Sequence, residues 1–122
     1  MARNADDNLV LKRTWGEIRY AVRSSGKMPA CVYIEDMGIA ERIRLETLLK
    51  RMAETGLIRN IQKFRKLKDK IYEFKSDQHR LLCFQLSNSW VLTHGYWKQK
   101  GKTPSREIDK AERIRKEHLG LD

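Results

Sequence analysis

Cysteine is scarce in this chain of 122 residues: Cys31 and Cys83 are its two, and they lie far apart. No CxxC spacing is present, so neither a zinc site nor a disulfide framework is indicated, and a reducing, cytoplasmic setting is expected. Long apolar runs are missing too. No window approaches the roughly 20 residues that a membrane span needs, and the opening MARNADDNLV lacks the apolar centre of a signal peptide, so no membrane partner is expected. The glycine patterns GxxxxGKS/T and GxGxxG are absent, which leaves a nucleotide cofactor without support. No GxSxG context exists for a serine nucleophile. Repeats and low-complexity tracts are absent as well. Residues 14–122 are expected to form one domain with its own core, preceded by a tail over 1–13.

Acid is the scarcer charge. Sixteen Asp and Glu face 26 Lys and Arg, a net charge of +10, which favours RNA, DNA or an acidic protein as partner and says nothing about fold. The imbalance is sharpest in HGYWKQKGKTP, residues 94–104, where Lys98, Lys100 and Lys102 stand with no acid among them.

The chain has two prolines, Pro29 and Pro104, and each fits a helix start. Before the first, TWGEIRYAVR alternates bulky β-formers and reads as a strand; after it, ACVYIEDM reads as a short helix. Ile39, Ile43, Leu45, Leu48, Leu49 and Met52 then recur at three- and four-residue steps up to Gly56, predicting a core-facing helix. Residues 57–70, LIRNIQKFRKLKDK, read as a basic connector whose Arg65, Lys66 and Lys68 are available to RNA. From there the period shortens to two. KIYEFK, HRLLCFQL and SWVLTHGYW, broken by SDQ and SNS, predict two tight hairpins in a three-strand meander. Ile108, Ala111 and Ile114 give the last helix a narrow apolar stripe. The expected fold is α+β: a mostly antiparallel four-stranded sheet, helices packed on one face, and a C-terminal helix.

Strand parity suggests where chemistry could sit. Arg80 opens an otherwise apolar strand face, Glu73 and Lys75 share a face of the preceding strand, and His94 and Tyr96 share one with Trp90 and Leu92. If these polar residues converge, Glu73, Lys75, Arg80, His94, Tyr96 and Lys98 line one concave surface. Such a set suits RNA cleavage by the RNA's own 2′-hydroxyl, which needs a base, cations for the pentacoordinate phosphorus and a donor for the leaving oxygen. Lysine and arginine supply that charge without a metal. His94 is the first choice as proton carrier because imidazole titrates near neutrality, with Glu73 or a lysine of lowered pKa as alternatives. Tyr96 beside lysines can stack on a base, whereas Trp97 reads as a cap on the core edge. His79, Cys83 and His94 lack the spacing of a zinc site.

The series LKDKIYEFK, QHRLLCF and VLTHGYWKQKGKTPSREIDKAERIRKEH resembles the HigB-like, phage-derived branch of the RelE/ParE toxin superfamily. WGEIRYAVRSSGKMP resembles that branch's first strand and following turn, so the likeness covers about residues 14–118. It implies a RelE-like fold and a toxin that cuts mRNA on the ribosome without metal or other cofactor. It also implies partners: a small helix-turn-helix antitoxin, the ribosome and mRNA. By position it implies Arg80 as the strand arginine at the scissile phosphate, and Lys98 and Lys100 as the basic pair after the last strand. Lys75 stands where that pattern has arginine, keeping the charge without the bidentate fork. Lys102, Arg65, Lys66, Lys68 and Tyr96 complete the expected RNA contacts. Two rival readings are a ParE-like gyrase poison and a winged-helix regulator whose wing is the hairpin 79–96.

Overall fold

The structure is a computed structural model that describes residues 7–121. The first six residues of the expected tail, and Asp122, lie outside the described residues. The elements are β1 (Leu9–Lys12), β2 (Glu17–Tyr20), α1 (Pro29–Glu35), α2 (Ile39–Thr55), β3 (Phe64–Lys68), β4 (Ile71–Ser76), β5 (His79–Leu86), β6 (Ser89–Trp97) and α3 (Ser105–Leu119). The strands form one mixed sheet in the order β1-β2-β6-β5-β4-β3, antiparallel throughout except for the parallel pair β2 and β6.

The six-stranded sheet corrects the expected four. Residues 9–12, read as tail, are an edge strand, and residues 64–68, read as a connector, are the other edge. LVLK is too short to display a period; it is held by pairing with β2 and by packing of Val10 and Leu11 on the core. FRKLK is masked by its lysines and by a register shift between Lys66 and Lys68. Charged side chains suit such an edge, because they discourage pairing with a further chain.

A second correction concerns the layers. Helices lie on both faces, not one: α1 and α2 cover one side of the sheet, with Leu45, Leu49 and Met52 meeting Phe74, Leu81 and Leu92. On the other side, Ala111 and Ile114 of α3 meet Ile71, Leu82, Phe84 and Val91. The expected apolar face of α2 is also shorter than read. Ile39 and Ile43 are 81% and 59% exposed, because the buried stripe runs through Leu45, Leu48, Leu49 and Met52 instead.

Three two-residue turns join β3 through β6, and each opens on a residue of positive φ: Asp69, Asp77 and Ser87. Asp can occupy this left-handed region because its short side chain bonds locally. The hairpin β5–β6 sits in the middle of the sheet, bonded on both sides, so it is no wing. Gly95 permits the contact of α1 with β6: a Cβ there would lie 2.4 Å from the ring of Tyr33.

Candidate nucleic-acid interface

One local irregularity decides which side chains meet. In β6, Leu92 pairs with Cys83 while His94 pairs with Leu82, so Thr93 is an extra residue between them. Such a bulge advances the strand by one and exchanges its faces. Trp90 and Leu92 therefore join the α1–α2 core, while His94 and Tyr96 turn to the α3 face. The strict parity expected for Trp90, Leu92, His94 and Tyr96 is corrected by this bulge. Its effect is the convergence considered from sequence: Lys75 pairs with Arg80 and Arg80 with Tyr96, one row across three strands, beside the row Arg65, Glu73, Leu82 and His94.

Within that patch the two arginines are held differently. Arg65 Nε donates to Glu73 Oε2 at 2.8 Å, and Glu73 is fully buried. Thr103 Oγ1 donates to the same carboxylate, at 3.1 Å to Oε1. The lysine loop 98–102 is thereby tied to the sheet through its next residue. Arg80 Nη1 donates to the carbonyls of Asp77 and His79 at 3.0 and 2.9 Å, but its Nε is buried and unpaired. The hydroxyl of Tyr96, its cross-strand neighbour, is likewise buried and makes no well-formed hydrogen bond, with Thr103 beside it already donating to Glu73. The only other such side-chain atom among the described residues is Trp90 Nε1, in the aromatic cluster of the opposite face. Two orphan donors side by side on one face are unusual, since buried polar groups are nearly always bonded.

A family profile described as Phage derived protein Gp49-like matches residues 33–116 of the chain. The chain belongs to this Gp49-like family. It is a family of RelE/HigB-like toxins of toxin–antitoxin systems. No curated protein matches the chain at a significant level. The matched span contains β3 to β6, the bulge and most of α3, and so the whole patch just described.

The remaining cations of the Gp49-like chain are distributed around the patch. Burial, aided by the positive charge of Arg65, Arg80 and Lys98, lowers the pKa of Lys75. Burial likewise raises that of the Tyr96 phenol. Lys98 is held at the loop entry, its Nζ donating to the carbonyl of Gly101, while Lys100 and Lys102 are exposed. Arg65, Lys66, Lys102 and Thr103 line a shallow groove of about 190 Å3 at the sheet edge. Lys68 is exposed beyond the β3 register shift, outside this lining.

His94 lies on the correct face but is enclosed. It is 2% exposed, with Nε2 2.9 Å from Glu107 Oε1 and Nδ1 3.2 Å from the Thr93 hydroxyl. Burial lowers its pKa, against the opposing pull of Glu107. His79 and Cys83 are on the other face, where His79 bonds the Tyr33 hydroxyl at 2.7 Å and the Glu41 carboxylate. Trp97 is there as well, edge-on to His79 and half exposed, so it does not cap the core as read. Sequence reading missed Thr103 and Glu107 as the anchors of Glu73 and His94. Neither carries a motif; Glu107 shows only as an acid in the first turn of α3. Among the described residues, no helix is long and apolar enough to cross a membrane.

Proposed function

We propose that this protein is the toxin of a toxin–antitoxin pair and acts as a metal-independent, ribosome-dependent mRNA endoribonuclease. Membership of the Gp49-like family supports the toxin role and with it a cognate antitoxin. The observation that carries the nuclease reading is the adjacent pair of unpaired donors, Arg80 Nε and Tyr96 OH, within a field of Lys75, Arg65 and Lys98. An RNA phosphate oxygen is the kind of acceptor that satisfies both, and bonds to a charged acceptor are the stronger ones.

In this reading Arg80, Lys98 and Lys100 offset the negative charge that builds on the phosphorus as the 2′-oxygen attacks. Lys75, whose pKa is lowered, takes the hydroxyl proton, the 2′-oxygen bonds to phosphorus as the P–O5′ bond breaks, and the leaving 5′-oxygen takes a proton from water; a base works best when its pKa approaches the ambient pH. His94, with both ring nitrogens engaged, positions β6 against the start of α3. Tyr96 bonds the phosphate, and Lys102, Arg65 and Lys66 guide the flanking backbone along the edge groove. Lys68 contributes long-range attraction only.

A reconstituted translation reaction tests the proposal. The purified chain, stripped of bound metal by a chelator and then dialysed into the magnesium buffer of the ribosomes, is expected to cut ribosome-bound mRNA as fast as the untreated chain, and Arg80→Ala is expected to lower the single-turnover rate by about 100-fold, as for loss of a preorganised donor. Intact mRNA at stoichiometric toxin, with DNA gyrase inhibited instead, would favour the ParE-like alternative and remove this one.

A further inference from the structure

The exposed isoleucines of α2 belong to a second surface. Ile39, Ile43, Thr47 and Arg51 follow one another at four-residue steps, a stripe about 18 Å long at ~1.5 Å per residue. Beside the stripe runs a groove of about 270 Å3, between α2 and the strand end that leads into the β4–β5 turn. Its lining includes Ile43 and Leu48, with Arg44, Arg51, Lys63 and Asp77 around them. Asp77 is already occupied by Arg44 Nε at 2.9 Å, which leaves Arg51 and Lys63 as an unbalanced positive rim, while the Lys75 side chain stands in the Arg80 row on the other face.

We propose that this groove receives an acidic, amphipathic segment of a partner protein, its apolar side on Ile39 and Ile43 and its carboxylates against Arg51 and Lys63. The charge of the rim selects an acidic occupant, and the isoleucines select protein over RNA. Nucleic-acid contacts are made chiefly by cations, polar groups and aromatic rings, and offer little to an aliphatic pair that is 81% and 59% exposed. An i, i+4 aliphatic pair beside cations is instead the complement of an amphipathic helix or strand. The antitoxin is the partner this arrangement suits.

The test uses the whole chain and a fluorescein-labelled synthetic peptide of about 16 residues, roughly 24 Å as a helix, with leucines at three- and four-residue steps among glutamates. A scrambled isomer keeps its composition and charge, and oligouridine RNA serves as the nucleic-acid probe. Anisotropy titration is expected to show the amphipathic peptide binding about tenfold tighter than its scramble, a difference of ~1.4 kcal/mol. Ile39→Ser/Ile43→Ser is expected to abolish that preference with an unchanged melting temperature, since both side chains are exposed, and Arg51→Ser/Lys63→Ser to weaken both peptides. Equal binding of the two peptides, or a preference that survives the isoleucine double variant, overturns the proposal. So does oligouridine binding that falls with the isoleucines as far as peptide binding, which makes the face an RNA surface. A dimer in sedimentation that the isoleucine variant dissolves also overturns it, assigning the face to a second copy. The assay contains no ribosome. A chain that binds the peptide and cuts no mRNA therefore defeats the nuclease reading and leaves this one intact.

Discussion

Under α1 and α2, Phe64, Phe74 and Trp90 interlock with centroids 4.8 and 5.0 Å apart from Phe64, and the face is closed by a 17-residue helix. Under α3, Ala111 and Ile114 reach the sheet at its apolar half, and beyond them the same strands carry Glu73, Lys75, Arg80 and Tyr96. One face spends its area on apolar burial; the other leaves two buried donors unpaired. Apolar packing and the proposed binding row are thus separated by the thickness of a sheet, and the single bulge at Thr93 sends Leu92 to the α1–α2 core and His94 and Tyr96 to the α3 face.

That division is broken most severely by Phe74→Ala. The side chain is fully buried in the α1–α2 core with its ring 4.8 Å from that of Phe64, so its loss is expected to cost about 3–5 kcal/mol in urea unfolding. A cost below ~1 kcal/mol would mean that this face is loosely packed. Next in size comes Glu73→Gln, on the other side. The amide can still accept from Thr103, but Arg65 loses its charged partner; because Arg65 is partly exposed and keeps water, about 2 kcal/mol is expected, near a single charged hydrogen bond. If the urea midpoint does not move, the buried carboxylate is not what holds Arg65 and Thr103.

The contrast between the faces also explains what could be read from the sequence. Hairpins β4–β5–β6 and helices α1 to α3 were legible, because period, prolines and turn residues act locally. β1 and β3 were not, since four residues show no period and lysines on an edge strand resemble a connector. The membership of the polar row was legible from strand parity as a condition, that the strands converge. The bulge that meets the condition left no sequence mark: Thr93 is a β-branched residue that looks like any other in the strand, and its hydroxyl donates to Leu82 O only once the fold exists. Enclosure of His94 was equally illegible, because Glu107 reaches it from an element 13 residues on. Likewise, a helical apolar stripe predicts burial, but α2 packs through Leu45 and Leu49 and leaves Ile39 and Ile43 outside.

A smaller change probes the α3 face alone. Tyr96→Phe removes a buried hydroxyl that makes no well-formed hydrogen bond in the free chain, Thr103 beside it being committed to Glu73, so the melting temperature should hold or rise, by an amount equivalent to at most ~1 kcal/mol. If that hydroxyl donates to a phosphate, affinity for mRNA on the ribosome should fall about tenfold at the same time, the value of a charged hydrogen bond of ~1.4 kcal/mol or more. Stability and binding moving in opposite directions is the signature; a fall in both would place Tyr96 among the structural residues.

The thin packing of α3 makes its end clamps visible, and the last prediction uses one. Arg23, just after β2, meets Glu117 in the final turn of α3 at 2.6 Å, and the backbone N–H of Ser24 donates to the same carboxylate at 2.9 Å. The guanidinium first, and then that N–H, hold the Glu117 carboxyl down to about 2. A carboxylate whose pKa is lower folded than unfolded contributes stability above its unfolded value, about 4.3, and loses it as pH falls toward the folded value. Arg23→Gln should therefore lower the melting temperature at neutral pH, and the gap from the parent should narrow from about pH 5 downward and close near pH 2. Because the pair is near the surface the gap should be small and should shrink in high salt. Thermal scans across that range decide it: a gap that stays constant with pH would mean that the helix end is held by the Val22 N–H to His118 Nδ1 bond and apolar contact, with the ion pair adding nothing.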